Sequence, residues 1–189
     1  MRKIVMFNLV SLDGFFAGAD GNIDWHVVDE EFNQAAIEMI RSYDTILFGR
    51  ITYQLFENYW PKAALDPKIS KEDKIIANKI NKMRKIVFSK TLDKVTWKNS
   101  ELVKGNIENE VKKIKKSPGR DIVIYGSGTI VQQLATAGLI DEYRIMVNPV
   151  VLGSGKPLFK DVSILNLKLI DTRVFRSGNV LLNYQRIKE

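Results

Sequence analysis

Strand-like and helix-like segments alternate from Lys3 to Gly138, and then the alternation stops. Lys3–Val10, Asp44–Gly49, Lys85–Ser89 and Asp121–Tyr125 are short apolar runs of strand length. Between them, residues 29–42 place Phe32, Ala35, Ala36, Met39, Ile40 and Tyr43 on one helical face. Residues 51–58 also read as helix, Pro61 and Pro67 bracket a loop, and a short helix then carries Ile76, Ile80 and Met83. Residues 106–116 and a segment ending near Gly138 complete the helices. From Asp141 onward there are only β-rich segments, at 142–151, 165–175 and 179–187, with Ser177-Gly178-Asn179 as a hairpin turn. Strands that alternate with helices characteristically pair in parallel, whereas strands joined by tight turns pair antiparallel. The expected fold is therefore one α/β domain over residues 1–189, a central mostly parallel sheet with antiparallel C-terminal strands and helices on both faces.

In such a sheet, ligands bind beyond the carboxyl ends of the strands. Three strand ends here carry suitable chemistry. Ile122-Val123-Ile124 runs into Tyr125-Gly126-Ser127-Gly128-Thr129-Ile130, a strand, a glycine turn and the first turn of a helix. Backbone N–H groups and the positive end of a helix dipole then point at one spot, where a phosphate fits. The same glycines serve a tight turn or close strand–helix packing equally well. The third glycine of a G-x-G-x-x-G fingerprint is missing, since Val131 stands there, and the turn falls late in the chain. Gly49-Arg50-Ile51-Thr52 repeats the strand-to-helix passage and adds a planar guanidinium. Ser89-Lys90-Thr91 gives a third polar, cationic tip. Together they form one rim that favours anions.

Composition removes several alternatives. There is no cysteine and a single histidine, His26, which excludes disulfides, thiol nucleophiles and Cys- or His-rich metal sites; no metal is expected. The apolar start is broken by Asn8 and by Ser11-Leu12-Asp13-Gly14, so it reads as a strand; no segment has the length of a membrane span, and a cytoplasmic protein is expected. The net charge of +7 permits anionic ligands. Its densest cluster, Lys112-Lys113-Ile114-Lys115-Lys116, follows Glu108 and Glu110 on a helical repeat without interleaved aromatics, a solvated helix face and not a nucleic-acid patch. Gly153-Ser154-Gly155-Lys156-Pro157 reads as a turn between strands. Asp24, Trp25 and His26 with Asp29, Glu30 and Glu31 offer acids and an imidazole; the acids also suit a helix start with Asp29 as cap. Tyr53, Phe56, Tyr59 and Trp60 are expected to pack in the core.

These motifs, in this order, resemble the dihydrofolate reductase-like fold, and more closely the reductase domain of the bacterial bifunctional riboflavin-biosynthesis deaminase–reductase. Ser11-Leu12-Asp13-Gly14-Phe15-Phe16-Ala17, Gly49-Arg50-Ile51-Thr52, Tyr125-Gly126-Ser127-Gly128 and the run from Leu139 to Gly155 carry the resemblance. It implies a reductase that uses NADPH and acts on a small heterocyclic or sugar-amine substrate, such as a phosphoribosylamino-pyrimidine. Gly49, Arg50 and Thr52 would hold the adenosine-side phosphates, and Ser89 and Lys90 the 2′-phosphate. Gly126, Ser127, Gly128, Thr129 and Ile130 would wrap the pyrophosphate, and Ala17 would line the nicotinamide side. Dihydrofolate reductases join a Gly-Gly pair by a cis bond at this turn; the pair here is Gly126-Ser127. Asn8, Ser11 and Asp13, at the end of strand one, would orient substrate or a proton-donating water. Glu30, five residues after Trp25, stands where the pterin-binding acid of dihydrofolate reductases would stand, with Asp29 beside it. The resemblance also points to a homodimer.

Overall fold

In a computed structural model that describes residues 1–187, eight strands form one sheet. Lys188 and Glu189, the end of the expected 1–189 span, lie outside the described residues. In chain order the first elements are β1 (Ile4–Val10), β2 (Phe15–Ala17), α1 (Glu30–Ile40), β3 (Tyr43–Gly49) and α2 (Arg50–Ala63). Then come α3 (Lys71–Lys82), β4 (Arg84–Phe88), β5 (Ser100–Val103), α4 (Ile107–Lys116) and β6 (Asp121–Tyr125). The chain finishes with α5 (Gly128–Thr136), β7 (Glu142–Val147), β8 (Lys156–Pro157), β9 (Leu167–Val174) and β10 (Val180–Arg186). The sheet order is β5-β4-β3-β6-β1-β7-β10-β9; β2 and β8 pair separately. All pairings from β5 to β7 are parallel, and β10 runs antiparallel to both β7 and β9. The change of pairing falls where the alternation stops in the sequence. Between β9 and β10, Gly178 takes φ +89° and donates to the Phe175 carbonyl, a turn that a glycine makes without strain.

Alternation along the strands divides the core. Ile4, Met6, Ile122 and Ile124 face α4 and α5, while Val5, Phe7, Ile46, Phe48 and Val123 face α1, α2 and α3. Sequence and structure differ at α2, which continues through Pro61 to Ala63. A proline inside a helix costs roughly 3 kcal/mol, but Pro61 stands in the last turn, and fully burying a large apolar side chain returns roughly 1.5–3 kcal/mol. Phe56 and Trp60, on this part of the helix, pack against the core and against each other at 5.9 Å. β5, β2 and β8 are absent from the sequence reading, because strands of two to four residues leave too little alternation to recognise.

Charged groups lock the amino-terminal edge of the sheet. The buried Arg2 guanidinium donates to Asp44, to the Thr45 hydroxyl and to the Arg120 carbonyl. Lys115 belongs to the basic cluster and donates to Asp141 and to the Leu139 carbonyl, while Lys112 and Lys113 pair with Glu108 and Glu110 on their own helix. These three lysines are thus occupied by packing and by helix pairs. No helix among the described residues is long and apolar enough to cross a membrane.

Candidate active site

The carboxyl ends of the parallel strands open onto a cleft of about 1610 Å³. Asn8, Ala17, Gly49, Arg50, Thr52, Ser89, Lys90 and Gly126 to Ile130 all line it. Lys104, Gly105 and Asn106 line it as well; they follow β5, and they escape the sequence reading because that strand does. Arg50, Lys90 and Lys104 are exposed and form no ion pair among the described residues. Among those residues no cluster of three or more His, Cys, Asp or Glu side chains is placed to hold a metal.

Helix capping distinguishes two of the helix starts at this cleft. α1, α3 and α4 are each capped by a side chain: Asp29 accepts from the Phe32 N–H, Ser70 from Asp73 and Asn106 from Asn109. α2 and α5, which start where β3 and β6 end, have glycine and serine at the cap position and no side-chain cap bond, whereas Asn106, the cap of α4, lines the same cleft. A helix leaves its first N–H groups without intrahelical partners, and those of Gly128 and Thr129 and of the first turn of α2 are open to a ligand. The two starts are also tied together. Ser127 donates its N–H to Thr52 Oγ1 at 2.9 Å, and its own Oγ accepts the Gly49 N–H at 3.0 Å. The Gly49 N–H and one Thr52 lone pair, expected at the phosphates, are therefore spent on holding the two turns together.

The Gly126–Ser127 bond is trans, since the described residues contain no cis peptide. Positive φ at both residues, +53° and +52°, makes the turn instead. A Cβ at Gly126 would stand 3.1 Å from the Thr52 side chain, and one at Gly128 would stand 2.6 Å from the Phe16 ring. These glycines let the turn pass close beneath β2 and α2.

The four expected catalytic residues do not converge. Asn8 lines the cleft, is 3% exposed, and its Nδ2 has no partner among the described residues. Ser11, Asp13 and Glu30 do not line it. Ser11 Oγ accepts from the Phe15 N–H inside its own turn. The Asp13 carboxylate accepts from the N–H groups of Leu152 and Gly153, and its bond with Ser11, followed by these backbone bonds, holds its pKa below the usual carboxylate value. Asp13 therefore fastens the loop before β2 to the loop before β8. Glu30 is exposed on the first turn of α1, beside Gln34, and Asp29 is spent as the cap. The spacing from Trp25 does not bring Glu30 into the cleft, because α1 starts at Glu30 and turns that residue outward.

His26 does reach the cleft. Its loop is held at Val27, whose N–H donates to Asn148 Oδ1 and whose carbonyl accepts from Asn179 Nδ2; both asparagines are fully buried. Trp25 packs edge-on against the imidazole, and Nε2 has no partner among the described residues. Burial pushes the His26 pKa down to about 4, so the ring is neutral at neutral pH. The unfolded chain takes up this proton near pH 6.5, before the folded protein does. The contribution is present above pH 6.5 and is lost as pH falls toward 4. Urea melts should lose up to roughly 3 kcal/mol across that window, and His26→Gln should flatten the slope. An unchanged slope in the variant would contradict the burial of a neutral ring.

The other half of the cleft is aromatic. Phe56, Tyr59 and Trp60 line it, whereas Tyr53 alone of the four expected core aromatics is fully packed away. The Tyr53 hydroxyl accepts from Trp97 and Thr96 and donates to Glu57. The signal in the sequence is Ile51, Leu55 and Tyr59, every fourth residue on one exposed helix face.

The family model of the RibD C-terminal domain matches residues 2–182. The chain is 39% identical over 184 residues to the uncharacterized protein YyaP of Bacillus subtilis (strain 168), covering 97% of this chain and 94% of that protein. Its fold is similar to that of a protein from Shewanella sp. PV-4 ascribed to riboflavin biosynthesis, with TM-score 0.73 and 24% identity over 99% of this chain and 100% of that one. It is also similar to dihydrofolate reductase from Enterococcus faecalis, solved with NADP(H), with TM-score 0.62 and 13% identity over 98% and 97% of the two chains. The fold is thus the dihydrofolate reductase-like α/β fold.

Proposed function

The chain belongs to the RibD C-terminal domain family, and we propose that it is an NADPH-dependent reductase of a small heterocyclic substrate. The observation that carries this reading is the pair of uncapped helix starts, α2 and α5, tied together at one rim beside Arg50, Lys90 and Lys104, which form no ion pair among the described residues. The residues fit the cofactor. The free N–H groups of Gly128 and Thr129 would hold the pyrophosphate, and Arg50 with the first turn of α2 would hold the adenosine side. Lys90, with Ser89 and the neighbouring Lys104, would meet the 2′-phosphate. When bound, NADPH supplies the hydride.

The chain's own residues would do the remaining work. Ala17 and Asn8 lie at the β1–β2 end of the cleft, where the unpartnered Asn8 amide can donate to a carbonyl of substrate or cofactor. His26 stays neutral and orients a substrate through one N–H and one lone pair rather than acting as an acid. Protons reach the product from water at the open mouth, where Asp24 stands exposed. β9 is an edge strand that exposes Leu169, Ile170 and Val174, and a second copy covering it would form the homodimer.

Removing one charge at a time tests the rim. A charge-assisted hydrogen bond is worth about 1.5–3 kcal/mol, which is roughly tenfold to a hundredfold in affinity. In calorimetric titrations Lys90→Ala should weaken NADPH about tenfold or more and leave NADH unchanged, while Arg50→Ala should weaken both. Equal affinity of the unaltered protein for NADH and NADPH would contradict the assignment of Lys90, and no affinity for either would overturn the proposal.

A further inference from the structure

We infer that the half of the cleft beyond the phosphate rim accepts a flat, uncharged aromatic substrate and rejects a phosphorylated one; this rests on the reductase reading above. One wall is the α2 stripe Ile51, Leu55 and Tyr59, which are 63%, 49% and 52% exposed although large and apolar. A second wall is Val28, in the loop before α1, with Phe32 and Ala36 on α1, and the floor holds Phe56 stacked on Tyr125 at 5.9 Å and 25°. Two apolar walls over an aromatic floor suit a planar ring, which gains contact area and offset stacking together.

Charge decides against a phosphate. Arg50, Lys90 and Lys104 all stand at the strand-tip rim, and Lys156 stands on β8 beside Gly21. Among the residues that line the cleft, the one charged side chain contributed by α1 or α3 is Asp73, while Asp24 lies in the loop before α1 that also holds Gly21. The helix starts on this side, those of α1 and α3, are closed by the side chains of Asp29 and Ser70. A phosphate between α1 and α3 would meet the Asp73 carboxylate and find neither an open helix start nor a lysine or arginine of those helices. A phosphoribosylamino-pyrimidine, the substrate class that the sequence resemblance suggested, therefore fits this half poorly.

The test uses the intact protein, first titrated with NADP+ by calorimetry and then saturated with it. The uncharged naphthalene dye prodan is added, and its emission is followed. The expected result is saturable, blue-shifted emission that ribose 5-phosphate in large excess does not displace and that Leu55→Asp weakens about tenfold or more. Leu55 is half exposed, and a matching melting curve checks the variant's fold; Tyr59→Asp provides a second substitution on the same wall. Absence of a blue shift, displacement by ribose 5-phosphate, or full binding in both folded variants would overturn the inference. If NADP+ itself fails to bind, the reductase reading falls, and the same dye titration on the unloaded protein still decides whether the slot is apolar and closed to phosphate.

Discussion

The Gly126→Val protein is expected to lose about a hundredfold or more in NADPH affinity and to melt several degrees below the unaltered protein. Two separate costs fall on one residue. Gly126 sits at φ +53°, where a β-branched residue is strained by roughly 1–3 kcal/mol. Its new Cβ would stand 3.1 Å from both Thr52 Oγ1 and Cγ2, so the Thr52 side chain must move. That side chain accepts the Ser127 N–H, and Ser127 in turn accepts the Gly49 N–H, so moving it loosens both helix starts at once. A hundredfold corresponds to about 2.8 kcal/mol, the worth of one or two phosphate contacts. Thr52→Ser keeps the acceptor and should bind NADPH nearly as the unaltered protein does. Unchanged affinity in Gly126→Val, measured by calorimetry on folded protein, would remove the tied turns from the account.

The second large effect lies away from the cleft. Lys85→Met should destabilise the protein by about 3 kcal/mol or more, which lowers the melting temperature by roughly 6–12 °C for a chain of this size. Lys85 is fully buried in β4, and its ammonium donates to the carbonyls of Asn81 at 3.0 Å, Met83 at 2.9 Å and Lys98 at 3.1 Å. It also lies 4.2 Å from the centre of the Trp97 ring. Replacing a whole buried ion pair by apolar groups can be neutral, but here the three carbonyls would stay behind without their donor. Burial pushes the Lys85 pKa down to about 8, from 10.5. Between those values the unfolded chain holds the proton that the folded protein has released, so this group's contribution to stability rises with pH across that window. Lys85→Met should abolish that rise along with the loss at neutral pH. Thermal melts at pH 7 and pH 9 measure both, and a melting temperature within about 2 °C of the unaltered protein at pH 7 would contradict the role given to the three carbonyls.

Long-period patterns in the chain were legible, and short or tertiary ones were not. Apolar runs such as Ile122-Val123-Ile124 announce buried parallel strands, and the loss of helices after Asp141 announces the antiparallel end. The glycines at Gly49 and Gly126 locate the rim, because each follows a buried apolar run and precedes a helical pattern. β5 has four residues and no such pattern, so the sequence carries no signal for Lys104, which follows it. Pro61 reads as a stop because local rules penalise it, while the packing that carries the helix past it comes from distant residues. Asp13 and Glu30 read as chemistry because carboxylates near a motif always do. Only the fold reveals that one fastens a loop and the other faces solvent. Conversely, His26 next to Trp25 suggests mere packing, and the buried clamp of Asn148 and Asn179 that presents it to the cleft is formed by residues more than a hundred positions away.

The central claim is that two uncapped helix starts hold the cofactor's phosphates, and backbone amide NMR tests it most directly. The protein is 21.6 kDa, within reach of nitrogen–proton correlation spectra. On titration with NADP+, the account predicts that the largest shifts fall on the amides of Gly128, Thr129, Arg50 and Ile51, at the starts of α5 and α2. The amides at the capped starts of α1 and α3 should stay nearly still. Shifts that spare Gly128 and Thr129, or that fall as strongly on the starts of α1 and α3, would contradict it.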